Sequence, residues 1–453
     1  MANITLRQAA QWCGGRVEEK YEDVVFCGAN NDSRKLQPGQ LFIALQGARD
    51  GHDYIPMAME KGAAAVLCSR SVGDYPAIIV DDPRRALGDI AHQERLRIGM
   101  KVVGVTGSVG KSTTKEMIAC VLSGSYRVAK TPVNQNNDIG MPMAILGMSE
   151  DTQIAVLEMG MNHFREIAYL SSIAQPDVAV IVNIGTMHIE HLGSRDGILQ
   201  AKMEIVEGMG EGGKLILNGD DELLWSKRDL SLMKPTYFAE NNPQAAVSAI
   251  DVEEIDGIIR FTVSAGMLKF PVELSLEGRH YVSDALAAIA VGVQLGVSPA
   301  NVQERLSMFR NMAGRQEMLK AKGCTIINDC YNAGPESMKA ALTVLGKKEG
   351  RHIAVLGDML ELGVCTQAEH YRVGRIAAEN ADVVIAFGPN SDRVISGALT
   401  GGMQEAKAMA FEDRDLAAAA LLRIAKPGDV LLFKGSRGMH MELILERFLK
   451  DQT

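Results

Sequence analysis

The chain has no cysteine pair in C-x-x-C spacing, and its seven cysteines are an odd number. An odd count argues against a complete disulfide framework, and a reducing cytoplasm is the expected compartment. Long apolar runs are missing too. The longest, Ala285–Val297, is too short to span a bilayer and contains Gln294, so no membrane span is expected. The N-terminus lacks the basic-then-apolar pattern of an export signal. Positive charge is not in excess, with 47 Lys and Arg against 56 Asp and Glu and a net charge of −9. A broad nucleic-acid or acidic-membrane surface is therefore not indicated. No repeat and no low-complexity segment interrupts the chain. What remains is ordinary globular composition, 47% hydrophobic and 23% charged, over 453 residues. That length suggests two to four domains, and a monomer is expected.

Against this background one stretch carries a specific signal: Thr106-Gly107-Ser108-Val109-Gly110-Lys111-Ser112-Thr113. A short β-branched strand, Lys101–Val105, precedes it. After it, Met117, Ile118, Val121 and Leu122 fall on one face of a helix over Lys115–Leu122. Strand, glycine-containing turn, then Gly-Lys-Ser-Thr opening a helix is the context a phosphate-binding loop requires. Gly107 and Gly110 let backbone N–H groups of Ser108 and Val109 approach an anion, and the helix N-terminus adds partial positive charge. Lys111 can reach the β- and γ-phosphates, and the Ser112 or Thr113 hydroxyl can reach Mg²⁺. The usual pattern has a further glycine where Val105 stands. A nucleoside triphosphate is the expected ligand.

The rest of the chain reads as α/β in three parts. Residues 1–84 form a small α/β unit, with strand-like runs at Leu41–Leu45, Ala64–Leu67 and Ala77–Val80 and a helical Met57–Lys61. Its polar loops, Asn31–Arg34 and Gln46–Asp53, are either solvated turns or ligand contacts. Residues 85–312 form the phosphate-loop unit. Here Ile154–Leu157 runs into Glu158, Val178–Val182 into Asn183 and on to His188, and Lys214–Leu217 into Asn218. Ligands lie beyond the carboxyl ends of strands in such sheets, which puts Glu158 and His188 near the phosphate loop. Glu158 suits Mg²⁺, and its alternative is a cap or an ion pair. His188 could equally be a satisfied loop histidine. Asn134–Gly140 is a dense amide loop ahead of a helical Met141–Leu146. Leu199–Val206 reads as helix, and spacing alone leaves its Lys202 a solvated charge. Between Pro235 and Leu276 alternation predicts antiparallel strands, then a small-residue helix over Asp284–Leu295. From 313 to 453 strands at Thr325–Ile327, His352–Leu356, Asp382–Phe387 and Asp429–Phe433 alternate with helices, as in a doubly wound sheet. No G-x-G-x-x-G follows any of them, so a dinucleotide site is not supported.

Taken together, these residues resemble the Mur ligase family of ATP-dependent amide ligases that build peptidoglycan precursors. The phosphate loop is similar to that family's T-G-S/T-x-G-K-S/T, which also lacks the first glycine. The resemblance runs the full length. It implies three domains: a UDP-substrate-binding α/β unit, a central P-loop ATPase-like unit with a mainly parallel sheet plus some antiparallel strands, and a Rossmann-like C-terminal unit. Asn31–Leu36, Asn136–Pro142, Asp329–Met338 and Gly357–Gly363 resemble the member that adds D-alanyl-D-alanine to UDP-N-acetylmuramoyl-tripeptide. The Asp-Asn-Pro-Arg of a diaminopimelate-adding relative is absent. The resemblance alone implies the ligands and the residues that hold them. ATP and two Mg²⁺ are the expected cofactors, one ion on Ser112 or Thr113 with Glu158, the other on His188 and a carbamylated Lys202. Arg315 is expected at the γ-phosphate, Asp329 and Asn332 at the ribose, and His280 beside the adenine. Ser33, Arg34, Gln46 and His52 are expected at the UDP end, with Asn134, Asn136, Asn137 and Asp138 also on substrate. Tyr281 and Asp284 stand where the family usually carries asparagines near the adenine, and Gly334 where it usually carries Asn. Splitting the sites among domains implies closure, with hinges near 84 and 313. The rivals are another Mur-type ligase, a folylpolyglutamate-type ligase, which the N-terminal unit with Asn-Asp-Ser-Arg disfavours, and an ATP-dependent switch without ligation.

Overall fold

Three open sheets make up most of the computed structural model, which describes residues 3–229 and 233–450. The first has four parallel strands in the order Ala29–Asn30, Leu41–Ile43, Ala65–Cys68, Ala77–Ile79. Its inner strands are buried on both faces, which is why they read as continuous apolar runs. A small antiparallel pair, Ile4–Thr5 with Val25–Phe26, lies beside it. Two residues per strand is too little for periodicity to reveal.

The central sheet has nine strands. In order they are Leu268–Leu274, Ile258–Ala265, Val247–Ile255, Thr236–Ala239, Lys214–Asn218, Val178–Ile181, Lys101–Thr106, Ile154–Glu158 and Val128–Lys130. The first three pair antiparallel, as their alternation predicts. Thr236–Ala239, expected to be antiparallel, is parallel to both neighbours. It is nearly all buried, so it carries no alternation from which direction could be read. Register places Val105 opposite Glu158 and Thr106 opposite Ile181. The phosphate loop, Glu158 and the segment leading to His188 thus leave the sheet side by side.

Helix starts differ from the periodicity in an informative way. The helix after the phosphate loop runs Lys111–Leu122, because Ser112, Thr113 and Thr114 are buried although polar. The helix expected over 199–206 is Arg195–Met203, capped by the Ser194 hydroxyl on the Gly197 N–H, with a 3₁₀ turn at Glu204–Gly208. The small-residue helix begins at His280 rather than Asp284, so Tyr281 and Asp284 lie in its first turns, and Asp284 faces the phosphate loop's helix.

The third sheet has six strands: Glu317–Ala321, Cys324–Asp329, Val430–Lys434, His352–Gly357, Val383–Phe387 and Ala408–Phe411. The first is an antiparallel edge strand and the rest are parallel. Asp329, Lys434 and Gly357 therefore end three adjacent strands on one rim.

The hydrophobic cores are distributed unevenly. One continuous cluster joins the first sheet to one face of the central sheet, from Ile4 and Leu67 through Leu87 and Ile90 to Leu157 and Ile181. A second fills the other central face. The third sheet has two clusters of its own, and neither includes a residue before Leu319. The flexing point expected near 84 thus falls within a shared apolar core, whereas that near 313 falls where the cores are separate. Among the described residues no helix is long and apolar enough to cross a membrane, and all seven cysteines are free.

Helices Thr366–Asn380 and Ser391–Thr400 cross at glycines. A Cβ on Gly374 would lie 1.9 Å from the Val394 carbonyl oxygen, and one on Gly397 2.0 Å from that of Tyr371. Gly374→Ala must push the helices apart, and urea unfolding should show a loss of about 1–3 kcal/mol. An unchanged midpoint would contradict the close crossing.

Candidate active site

A cavity of about 880 Å³ lies between the central and third sheets. Its floor is the phosphate loop. Gly110 has φ +82°, and a Cβ there would sit 2.7 Å from Asp284 Oδ1, so only glycine fits without strain. Asn183 holds the loop: its Oδ1 accepts from the Ser108 N–H at 3.1 Å and the Val109 N–H at 3.0 Å. Its Nδ2 donates to the Val109 carbonyl at 2.9 Å. Lys111 Nζ curls back onto the carbonyls of Gly107 at 2.8 Å and Ser108 at 3.1 Å. Burial lowers its pKa, partly opposed by Glu158. A phosphate entering the cavity offers this ammonium a better partner than two carbonyls.

Beside the loop, Ser112 Oγ donates to Glu158 Oε2 at 2.7 Å, and Asn136 Nδ2 donates to Glu158 Oε1 at 2.8 Å. A hydroxyl and a carboxylate meeting at the edge of an anion site are the hard oxygen donors that Mg²⁺ takes. The donor set fits such an ion, the remaining positions falling to phosphate and water. Ser112 rather than Thr113 makes the contact with Glu158. Lys115, one helical turn beyond Lys111, is fully buried with Nζ on the Thr131 carbonyl at 2.7 Å and 4.0 Å from Glu158. Sequence reasoning missed it, although the i, i+4 spacing puts it on the Lys111 face.

His188 lines the cavity with a left-handed backbone, φ +64°. Its Nδ1 lies 2.5 Å from Glu361 Oε2, which comes from the third sheet's loop. Lys202 is 2% exposed. Burial, reinforced by the charge of Lys111, drives its pKa well below the usual ammonium range. Among the described residues it has no hydrogen bond or ion pair, and it is close enough to Lys111 and His188 for their charges to interact. The solvated charge that spacing suggests is thus replaced by a buried amine.

The third unit closes the cavity. Arg315 Nη2 donates to Ser112 Oγ at 2.9 Å, and its guanidinium stacks 3.9 Å above the Tyr331 ring. The Tyr331 hydroxyl bonds Asn134, whose φ is +66°. Asp329 accepts from Lys434 Nζ at 2.6 Å, a buried pair that fixes the rim where two strands end. Asn332 Oδ1 accepts from the Ala333 and Arg437 N–H groups. His280 stacks on Tyr281 with ring centroids 4.2 Å apart. Tyr281 donates to Gln316 Oε1 at 3.3 Å and accepts from Asn311 at 2.9 Å. Asp284 Oδ1 accepts from the Thr114 hydroxyl at 2.7 Å.

The remaining sites predicted from sequence divide sharply. Asn134, Asn136, Asn137 and Asp138 all line the cavity, and Asp138 pairs with Arg84 at 2.9 Å. Ser33, Arg34, Gln46 and His52 do not line it. Ser33 is buried with its hydroxyl against the Met57 sulfur, and Arg34 pairs with Asp32 at the surface. His52 is buried with both ring nitrogens committed, Nδ1 to Asp50 at 2.7 Å and Nε2 accepting from the Ser69 N–H at 3.1 Å. It holds the 46–53 loop in shape instead of presenting a free ring to a ligand.

Similarity to known proteins extends over the whole chain. It matches the Mur ligase family catalytic domain over residues 27–95, the Mur ligase middle domain over 105–292 and the Mur ligase glutamate ligase domain over 314–437. It is 40% identical to a UDP-N-acetylmuramoyl-tripeptide–D-alanyl-D-alanine ligase of Bacillus subtilis, over 100% of this chain and 99% of that one. The protein of that name from Escherichia coli is 35% identical, with 100% of each chain covered. A crystal structure of MurF from Acinetobacter baumannii superposes with a TM-score of 0.90 at 32% identity, covering 100% of both chains. MurF from Thermotoga maritima in complex with ADP gives 0.81 at 30% identity, covering 94% of this chain and 97% of that one.

Burial raises the Asp284 carboxyl from 3.8 to about 7, partly opposed by the Thr114 hydrogen bond. The native state thus holds a proton that the unfolded chain releases. The associated stability is complete below about pH 4 and is lost as pH climbs through about 7. Asp284→Asn removes this slope. At pH 8 the variant should be more stable by up to about 4 kcal/mol, at roughly 1.4 kcal/mol per unit, with the advantage vanishing near pH 4. Parallel pH–stability curves for the two proteins would contradict the burial of that carboxyl.

Proposed function

Since the chain belongs to the Mur ligase family, we propose that it joins D-alanyl-D-alanine to UDP-N-acetylmuramoyl-tripeptide at the expense of ATP. The products are ADP, phosphate and UDP-N-acetylmuramoyl-pentapeptide, a peptidoglycan precursor. The observation that carries this reading is Arg315, a cation from the third unit that reaches the phosphate-loop hydroxyl of Ser112 beside Glu158. A soluble nucleotide precursor, the use of ATP and seven free cysteines support a cytoplasmic location.

The chemistry sets two anions against each other, because a substrate carboxylate must attack the γ-phosphorus to form an acyl phosphate. Lys111 leaves the Gly107 and Ser108 carbonyls for the β- and γ-phosphates. Arg315 stands opposite it, so the transferring phosphoryl group is held between two fixed cations. Asp329 and Asn332 face the ribose, and His280 with Tyr281 walls the adenine side. The amide loop Asn134–Asp138 and Arg84 orient the peptide end. The loops carrying Ser33, Arg34 and Gln46 take the UDP, with His52 as their internal brace. The amine of D-alanyl-D-alanine then displaces phosphate through a tetrahedral intermediate.

Ser112 with Glu158 would hold one Mg²⁺, and His188 with Lys202 a second, supplying positive charge to the phosphate oxygens. Lys202 serves a cation only after modification. As a neutral amine it adds CO₂, forming an N–C bond and releasing a proton, and the resulting carbamate is an oxygen ligand of negative charge. Its depressed pKa supports this, since only the unprotonated amine adds CO₂.

Phosphate release measured with ATP, the UDP-tripeptide and the dipeptide tests the function. Turnover should require all three, and release independent of the dipeptide would replace the ligase with an ATPase. Lys111→Ala should abolish ligation with little change in unfolding midpoint. Arg315→Ala and Asp329→Ala should weaken ATP far more than the UDP substrate by calorimetry, and the reverse order would misassign the units. Lys202→Ala should lose activity and regain part of it with added acetate. Lys202→Arg should stay inactive, and normal turnover by that variant would end the carbamate proposal.

A further inference from the structure

The segment Gly357–Gly363 stands out in the sequence, yet the chemistry above gives it no part. In the structure it is one of the third unit's contacts with the His188 loop, beside that of Glu336 with Thr186. Its backbone is pinned from its own side. The Met359 N–H donates to His370 Nε2 at 3.0 Å, the Leu360 N–H to Ser436 Oγ at 2.9 Å, and the Ser436 N–H to the Asp358 carbonyl at 3.0 Å. Glu361 then turns out of the loop with φ +62°, a conformation non-glycine residues adopt only where surroundings impose it. Gly363 packs against Glu190, 3.1 Å from its Cα for a Cβ placed there. The result is the contact of Glu361 Oε2 with His188 Nδ1 at 2.5 Å.

A carboxylate accepts, so the nitrogen facing it carries the proton. That leaves Nε2 with the lone pair, in a residue that lines the cavity. Resting on the functional reading above, we propose that Glu361 is a positioning residue. It fixes His188 in the Nδ1–H tautomer with Nε2 aimed at the phosphoryl site, and it does so only when the third unit is docked. Docking then not only delivers Arg315 but also sets the orientation of a histidine on the opposite wall. Free imidazole favours the other tautomer, so the undocked protein holds a misdirected His188. A merely structural ion pair across the same seam exists for comparison: Lys347 Nζ lies 2.5 Å from Glu254 Oε2, remote from His188.

The test uses the full chain labelled with ¹⁵N-histidine, saturated with ADP and freed of metal by EDTA. The His188 resonances are assigned by their loss in His188→Gln. Wild type should show Nδ1 protonated and Nε2 bare, and Glu361→Ala should reverse this. Glu361→Gln, whose amide oxygen still accepts, should keep the wild-type tautomer. Lys347→Ala should leave it untouched. In turnover, Glu361→Ala should lose about 10- to 100-fold in kcat, with KM for ATP changed less than about threefold and Glu361→Gln retaining more. An unaltered tautomer in Glu361→Ala, or an equal change in Lys347→Ala, overturns the proposal. The tautomer is read without catalysis, so a protein that shows the expected tautomers but no ligation would refute the functional reading and not this one.

Discussion

A phosphate loop binds an anion only while its backbone is held in an open curve, and here one amide, Asn183, does the holding. It accepts from two loop N–H groups and donates to a loop carbonyl, and it sits just beyond a strand paired in register with the loop's own strand. The same parallel register sets Glu158 on the other side. Three neighbouring strands thus deliver the loop, the acidic side chain and the path to His188 to one place, with no long-range search required of the side chains. Everything else in the site is built against that edge.

What closes on the edge is attached to it differently from what lies beneath. The first sheet shares an apolar core with the central one. The third sheet keeps its cores to itself and meets the others mainly through polar groups: Arg315 on Ser112, Tyr331 on Asn134, Thr186 on Glu336, His188 on Glu361, Lys347 on Glu254. The cavity residues of the third sheet thus meet the rest only across this polar seam, whereas the Asn134–Asp138 loop belongs to the central unit.

Most of this was legible in the sequence where local chemistry fixes the outcome. The phosphate loop announces itself because its glycines, lysine and hydroxyls have only one arrangement that satisfies them. Strand-end residues such as Glu158, Asn183 and Lys434 follow from the rule that ligands gather at carboxyl ends. Legibility stopped where tertiary contact decides. Thr236–Ala239 is buried on both faces and carries no mark of its direction. Periodicity alone misses the first turn of the phosphate-loop helix, because Ser112, Thr113 and Thr114 are buried although polar, and the motif supplies that start instead. Lys202 has the spacing of a surface lysine, and only the packing around it shows otherwise. Polar loops of this kind are more often solvated turns, so only the family resemblance singled out Ser33 and His52; in the structure His52 braces its own loop and the Ser33 hydroxyl lies against the Met57 sulfur. Glu361 could not be paired with His188 at all, because 173 residues separate them and neither has a local signal for the other.

The separation of cores has a thermal consequence. Docking that buries little hydrocarbon carries little heat-capacity change, unlike the folding of either body. Any parting of the third unit from the rest would therefore depend little on temperature, while dissolved ions, which screen the half-exposed pairs along the seam, would favour it readily. The strength of that seam would answer to ionic strength before it answers to temperature.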